Sequence, residues 1–189
     1  MKYQPENYYH LYNRGNDKNL IFHRRENYRY FLNLLRTHLS RAAVELVAYC
    51  LMPNHYHLVV YLTRKIDFSN TLRAFTTAYV RSFNNWYGRV GYLYQGNTKA
   101  KLVDEEEYLI HLCRYVHLNP VVAGLVRSPE EWEFSDYSDW ISGTCLAPSR
   151  ALMTRGAYFW NAAEYRVFVE GYITEARARA RRDLRRFGD

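Results

Sequence analysis

The chain holds 189 residues, 48% hydrophobic and 17% aromatic, which is enough to bury the core of one domain and excludes wholesale disorder. Lys and Arg number 26 against 19 Asp and Glu, a formal net charge of +7 that favours a polyanionic partner. Cys50, Cys113 and Cys145 form no CxxC pair, which argues against a disulfide framework or zinc knuckle, and no apolar run approaches a signal peptide or membrane span; a reduced, cytoplasmic protein is expected.

In chain order, YYHLYN at 8–13 is rich in strand formers and stops at the turn-forming Arg14-Gly15-Asn16-Asp17. Tyr28, Phe31, Leu35 and Leu39 recur at helical spacing and predict a helix from Glu26 to Leu39. VELVAYCL at 44–51 and HYHLVVYL at 55–62 are two strands of a hairpin, joined through Met52-Pro53-Asn54. Ser69 is the expected cap of a helix whose apolar stripe is Leu72, Phe75, Tyr79, Phe83 and Trp86, ending at Gly88. A strand over 97–103 follows, then a helix from Glu105 to Asn119 capped by Asp104 and ended by Pro120. The order β-α-β-β-α-β is that of the α+β class with a ferredoxin-like antiparallel sheet, two helices on one side, plus a further helix. The predicted organisation is a domain over 1–143 and a C-terminal extension over 144–189. The extension divides into a linker at 144–156, a helix at 161–176, and an end with six arginines against three acids.

Two patterns carry chemistry. In LMPNHYHLVV, strand alternation sends His55 and His57 to one face and Tyr56 to the other. Such a pair either meets solvent or grips a divalent metal. In HLCRYVHLNP, Leu109, Leu112, Cys113 and Val116 supply a core stripe, while Tyr115 and Asn119 emerge one turn apart on another face. A phenol beside a metal is a competent nucleophile towards phosphorus. On spacing alone, the reading of Tyr115 as an ordinary amphipathic-helix residue and of Asn119 as a helix-end residue prevails.

MPNHYH at 52–57, YLYQGNTKAKLV at 92–103 and YLIHLCRYVHLNPVVAGLV at 108–126, in that order, resemble the REP-associated tyrosine transposases. These are relatives of the single-tyrosine insertion-sequence transposases in the His-hydrophobic-His nuclease superfamily. The likeness includes NRG at 13–15 and WEFSDYSDW at 132–140, and runs more faintly through AAEYRVFVEG at 162–171. It implies that His55 and His57 ligate a divalent metal, Mg²⁺ or Mn²⁺, and that Tyr115 is the nucleophile. Asn119 stands where insertion-sequence relatives usually carry a glutamine ligand, and its shorter side chain reaches less far. The activity implied is cleavage and rejoining of single-stranded DNA through a 5′-phosphotyrosine, without a nucleotide cofactor, on REP-type hairpins with a short single-stranded 5′ flank.

Candidate DNA contacts are Arg14, Lys18, Arg73, Arg81, Lys99, Lys101 and Arg114, the last favoured because it adjoins Tyr115. The arginine-rich end reads as a DNA arm or as a cover over the site. Insertion-sequence relatives work as dimers that exchange tyrosine helices, and REP-associated members also act as monomers, so either state is compatible. Alternatives are an ordinary insertion-sequence transposase and a non-catalytic hairpin-binding protein. A small-phosphoester hydrolase suits neither the basic charge nor a tyrosine in place of a water-activating carboxylate.

Overall fold

The computed structural model describes residues 3–41, 43–142 and 149–187. Four strands, β1 (Asn7–Arg14), β2 (Val44–Met52), β3 (His55–Leu62) and β4 (Lys99–Val103), form one sheet in the order β2-β3-β1-β4. Every pairing is antiparallel. Helices α1 (Arg25–Arg41) and α2 (Phe68–Trp86) intervene in the β-α-β-β-α-β order that the apolar periodicities predict.

Alternation along the strands divides the interior into two layers. Tyr9 and Leu11 of β1 and Tyr56, Leu58, Val60 and Leu62 of β3 turn to one face. There they meet the α1 stripe of Tyr28, Phe31, Leu35 and Leu39 and the α2 stripe of Leu72, Phe75, Tyr79 and Phe83. Trp86 ends outside that stripe, 46% exposed, with its ring edge-on to Tyr30. The opposite face, with Val47, Ala48, Cys50, Met52 and Val59, is covered by α3 (Glu106–Val122) through Leu109, Leu112, Cys113 and Val116. A bulge between Leu46 and Ala48 shifts the β2–β3 register. It lets the consecutive Val47 and Ala48 both join this second layer.

Several helix ends differ from expectation. Asp67, not Ser69, caps α2, its carboxylate accepting from the Asn70 amide at 3.0 Å. Helix α3 starts at Glu106, preceded by Glu105 rather than by an Asp104 cap, and no side chain caps it. It also runs through Pro120 to Val122. The proline lies within the last turn, so its missing N–H costs one intrahelical bond near an end that frays anyway. Bonds from Ala123 N to Asn119 O and from Leu125 N to Pro120 O close that end, with Gly124 at φ 74° supplying the left-handed residue.

Beyond α4 (Tyr137–Ser142), half of the expected linker is helical. Ser149 caps α5 (Arg150–Tyr158) by accepting from the Leu152 amide. The rest of the linker, at 144–148, lies outside the described residues. The single helix expected at 161–176 is two, α6 (Ala162–Glu170) and α7 (Ile173–Phe187). They part at Gly171, where a Cβ would stand 2.8 Å from Val167 O. Tyr165 and Val169 of α6 are buried in the same layer as Cys113 and Val116. The extension therefore shares the core of the main domain.

Candidate active site

The β1–β3 register sets Tyr12 opposite His57 and Arg14 opposite His55. His10, Tyr12, Arg14, His55 and His57 thus share the sheet face that α3 covers. His55 and His57 stand with ring centroids 5.1 Å apart, as alternation requires. Above them α3 brings Tyr115, its ring 5.3 Å from that of His57 and edge-on to it. Asn119, one turn on, lies close enough to the Tyr115 phenol and the His55 imidazole to shift the titration of both, and its amide donates to Tyr115 O at 3.0 Å. The four residues singled out from two separate motifs converge on one place.

Each histidine has a hydrogen-bond partner on Nδ1. His55 Nδ1 meets Asn54 Oδ1 at 2.7 Å, and His57 Nδ1 meets His10 Nε2 at 2.9 Å. These partners orient both rings, and with the Nδ1 proton on each ring, Nε2 would be free to bind a metal, as with partners around a metal site. Burial holds His57 well below the usual imidazole range, aided by His10 and His55. It also lowers His55, with Arg14 adding to the effect and Asn119 opposing it. Neutral imidazoles are the metal-binding form. Two neutral imidazoles and a carboxamide are therefore a donor set that fits a divalent cation, and His55, His57 and Asn119 are the residues that would hold it. Among the described residues no group of three or more His, Cys, Asp or Glu is placed to hold a metal ion, here or elsewhere. Tyr115 is 51% exposed, open to a large substrate. Its phenol is held above the ordinary range by desolvation, a shift that the Asn119 hydrogen bond opposes.

His10 is the residue that sequence reasoning missed. Only 7% exposed, it stacks on His57 and has its pKa lowered to about 4, first by burial and then by Lys101. Its neutral form is favoured in the fold, so both states are neutral above about 6.5. As pH falls from there, the unfolded chain takes up a proton that the native chain refuses until about 4. Stability is accordingly expected to drop across that window by about 3 kcal/mol from His10 alone. Urea midpoints in chelator at pH 7 and 4.5 check this, and His10→Gln should reduce the difference, leaving the part that His57 and His55 contribute in the same direction. A midpoint indifferent to pH contradicts it.

The basic residues separate into three groups. Lys99 and Lys101 pair with Tyr12 and His10 across β1–β4, so they flank the tyrosine on the same face. Arg14 lies beside them and bonds Gln95 Oε1 at 3.3 Å. Lys18 sits in the turn packed on the β2–β3 connection, where Asn54 donates to Lys18 O. A Cβ on Gly15 would stand 2.0 Å from Asn19 O, so this turn needs glycine there. Arg73 and Arg81 lie on the other side of the sheet. They line an open groove of about 840 Å³ between α2 and the loop into β4, with Tyr92, Asn97 and Thr98. Arg114 does not join the site. Its guanidinium lies 3.8 Å from the Tyr172 ring centroid and 4.3 Å from that of Phe168.

A histidine pair on a strand, under a tyrosine carried by a helix, is an arrangement suited to phosphoryl transfer with a phenolic nucleophile. The chain belongs to the IS200-like transposases, whose family model matches residues 4–119. A REP-associated tyrosine transposase, solved bound to a REP hairpin, shares the fold with a TM-score of 0.62 at 19% identity, over 78% of this chain and 86% of that one. A protein of Deinococcus radiodurans assigned provisionally to the transposases aligns at 20% identity and a TM-score of 0.44, over 61% and 91% of the two chains. No curated protein sequence matches this chain. Among the described residues no helix is long and apolar enough to cross a membrane.

Proposed function

We propose that this transposase is a metal-dependent single-strand DNA endonuclease and strand transferase acting on REP-type hairpins with a short 5′ flank. The observation that carries the reading is the convergence of Tyr115, 5.3 Å from His57 between ring centroids, with His55 and Asn119. Tyr115 Oη attacks the scissile phosphorus as its proton leaves. The new bond joins Oη to phosphorus, and the P–O3′ bond breaks. The 3′ oxygen departs as a hydroxyl, and the 5′ side stays on the protein as phosphotyrosine. An incoming 3′-hydroxyl reverses these steps and joins two strands, because the phosphodiester is conserved in the link. A divalent ion held by His55, His57 and Asn119, Mg²⁺ or Mn²⁺, would polarise the phosphoryl oxygen and offset charge in the transition state. Asn119 lies beside both Tyr115 and His55, and the phenol is protonated at neutral pH, so it gives up its proton in the attack itself. Lys99, Lys101, Arg14 and Lys18 would hold phosphates on this face, with Arg73 and Arg81 on the other.

The hairpin specificity rests on the fold shared with a protein solved on a REP hairpin. The test is a labelled oligonucleotide that folds into an imperfect hairpin with a 5′ flank, incubated with Mn²⁺ and run on a denaturing gel. Cleavage of the single-stranded form, but not of the same sequence in a duplex, supports the reading. Equal cleavage of both forms contradicts it.

A further inference from the structure

Helix α3 presents three faces. Leu109, Leu112, Cys113 and Val116 enter the core, and Tyr115 and Asn119 look onto the histidines. The third stripe, Arg114, His117 and Val121, follows helical spacing, and each of its members is held by the C-terminal helices. Arg114 packs against Phe168 at 4.3 Å and Tyr172 at 3.8 Å, and donates to His111 Nδ1 at 3.0 Å. His117, 0% exposed, meets the Tyr165 hydroxyl at 2.7 Å and Asp136 Oδ1 at 3.0 Å. Arg177 of α7 donates to Val121 O at 3.3 Å. Asp136 in turn accepts from the Tyr49 amide at 2.7 Å, which ties this stripe to β2.

We infer that Arg114 is a positioning residue for Tyr115: gripped by Phe168 and Tyr172, it lets the C-terminal helices set the roll of α3 and hence the reach of the nucleophile. The inference rests on the proposed role of Tyr115. The lever is short. A tyrosine hydroxyl stands roughly 8 Å from a helix axis, so a roll of about 10° moves it by more than about 1 Å. Displacement of that size at a reacting atom costs on the order of 100-fold in rate. The core stripe is apolar, whereas a guanidinium stacked on two rings outside α3 ties the roll of the helix to the C-terminal segment, and the bond to His111 of the same helix holds the guanidinium in place over them. The same contacts hold Arg114 off the face that carries Tyr115, although the two adjoin in sequence, because successive helical residues diverge by about 100°.

Two variants test this. Arg114→Ala removes the cation, and Phe168→Leu with Tyr172→Leu removes the rings while leaving the arginine. Both should lower the single-turnover cleavage rate at saturating hairpin by about 10- to 100-fold. Hairpin Kd and the Mn²⁺ half-saturation should stay within about two-fold of wild type, because the histidines stand on β3. Arg114→Lys, which retains a cation over the rings, should recover part of the rate. The unmodified protein, cleaving in parallel, separates failure of this inference from failure of the proposed chemistry. If Arg114→Ala instead weakens hairpin binding and lowers the salt slope by about one while the ring variant is unaffected, Arg114 is a phosphate contact and the inference falls. A loss of melting temperature with an unchanged rate at permissive temperature would likewise overturn it, leaving only a stabilising role.

Discussion

Tyr115→Phe is expected to lose cleavage by three or more orders of magnitude, on the scale seen when a catalytic nucleophile is removed, while binding the hairpin within about two-fold of wild type. The substitution deletes one oxygen and keeps the ring. Tyr115 is half exposed, and its ring contacts with His57 and His10 are edge-on, so phenylalanine preserves them. Loss of the hydroxyl leaves intact the bond from the Asn119 amide to Tyr115 O, which involves the backbone. Binding energy spread over phosphates does not depend on that oxygen. Denaturing and native gels on one sample read the two quantities. Residual cleavage within ten-fold of wild type would assign the attack to another group.

The second large effect falls on the histidines. His57→Ala should reduce cleavage by at least 100-fold and weaken the response to Mn²⁺, since it removes a buried imidazole and leaves His10 without its partner. His55→Ala should do the same through loss of the other imidazole. His10→Ala is expected to cost less, about 10- to 100-fold, as partners of metal ligands do. Excess chelator on the unmodified protein should mimic the ligand variants. Rates measured across a Mn²⁺ titration separate these cases: the His10 variant recovers at high metal and the ligand variants recover little. Full activity of His57→Ala in chelator would remove the metal from the mechanism.

Much of the site is legible in the sequence because it follows two local periods. The period of two puts His55 and His57 together, and the four-residue step puts Asn119 beside Tyr115. What is not local was not legible. His10 meets His57 only through the β1–β3 register, 47 positions apart, and a histidine in a tyrosine-rich strand carries no mark of that partner. The signal available was alternation: His10, Tyr12 and Arg14 share a face, opposite Tyr9 and Leu11. The packing of Arg114 on Phe168 and Tyr172 was hidden for the converse reason, since adjacency to Tyr115 in sequence is divergence on a helix. His117 also reads as featureless in isolation, and its partners, Asp136 and Tyr165, lie 19 and 48 positions on.

The fold shows the same division. The strand and helix order followed from apolar spacing, because burial fixes which residues share a face. Helix ends did not. Asp67 caps where Ser69 was expected, as both are good caps two positions apart and only the chain's entry into α2 chooses between them. The arginine-rich end belongs to α7, whose first turns pack on the core through Ile173 and Ala176 while Arg179, Arg181 and Arg182 stay exposed. Its start is thus anchored on the core, with these three arginines on its exposed side.

The claim at the centre of this account is that Tyr115 becomes covalently linked to DNA. It is tested by cleaving a hairpin oligonucleotide in Mn²⁺, digesting the protein with trypsin and nuclease, and sequencing the modified peptides by mass spectrometry. The tryptic peptide 115–127 contains Tyr115 and no other tyrosine, serine or threonine, so a nucleotide mass on it is unambiguous. The expected result is a 5′-nucleotidyl phosphotyrosine on that peptide, absent from Tyr115→Phe. Cleaved DNA with that peptide unmodified, or the adduct on another tyrosine, would contradict the mechanism.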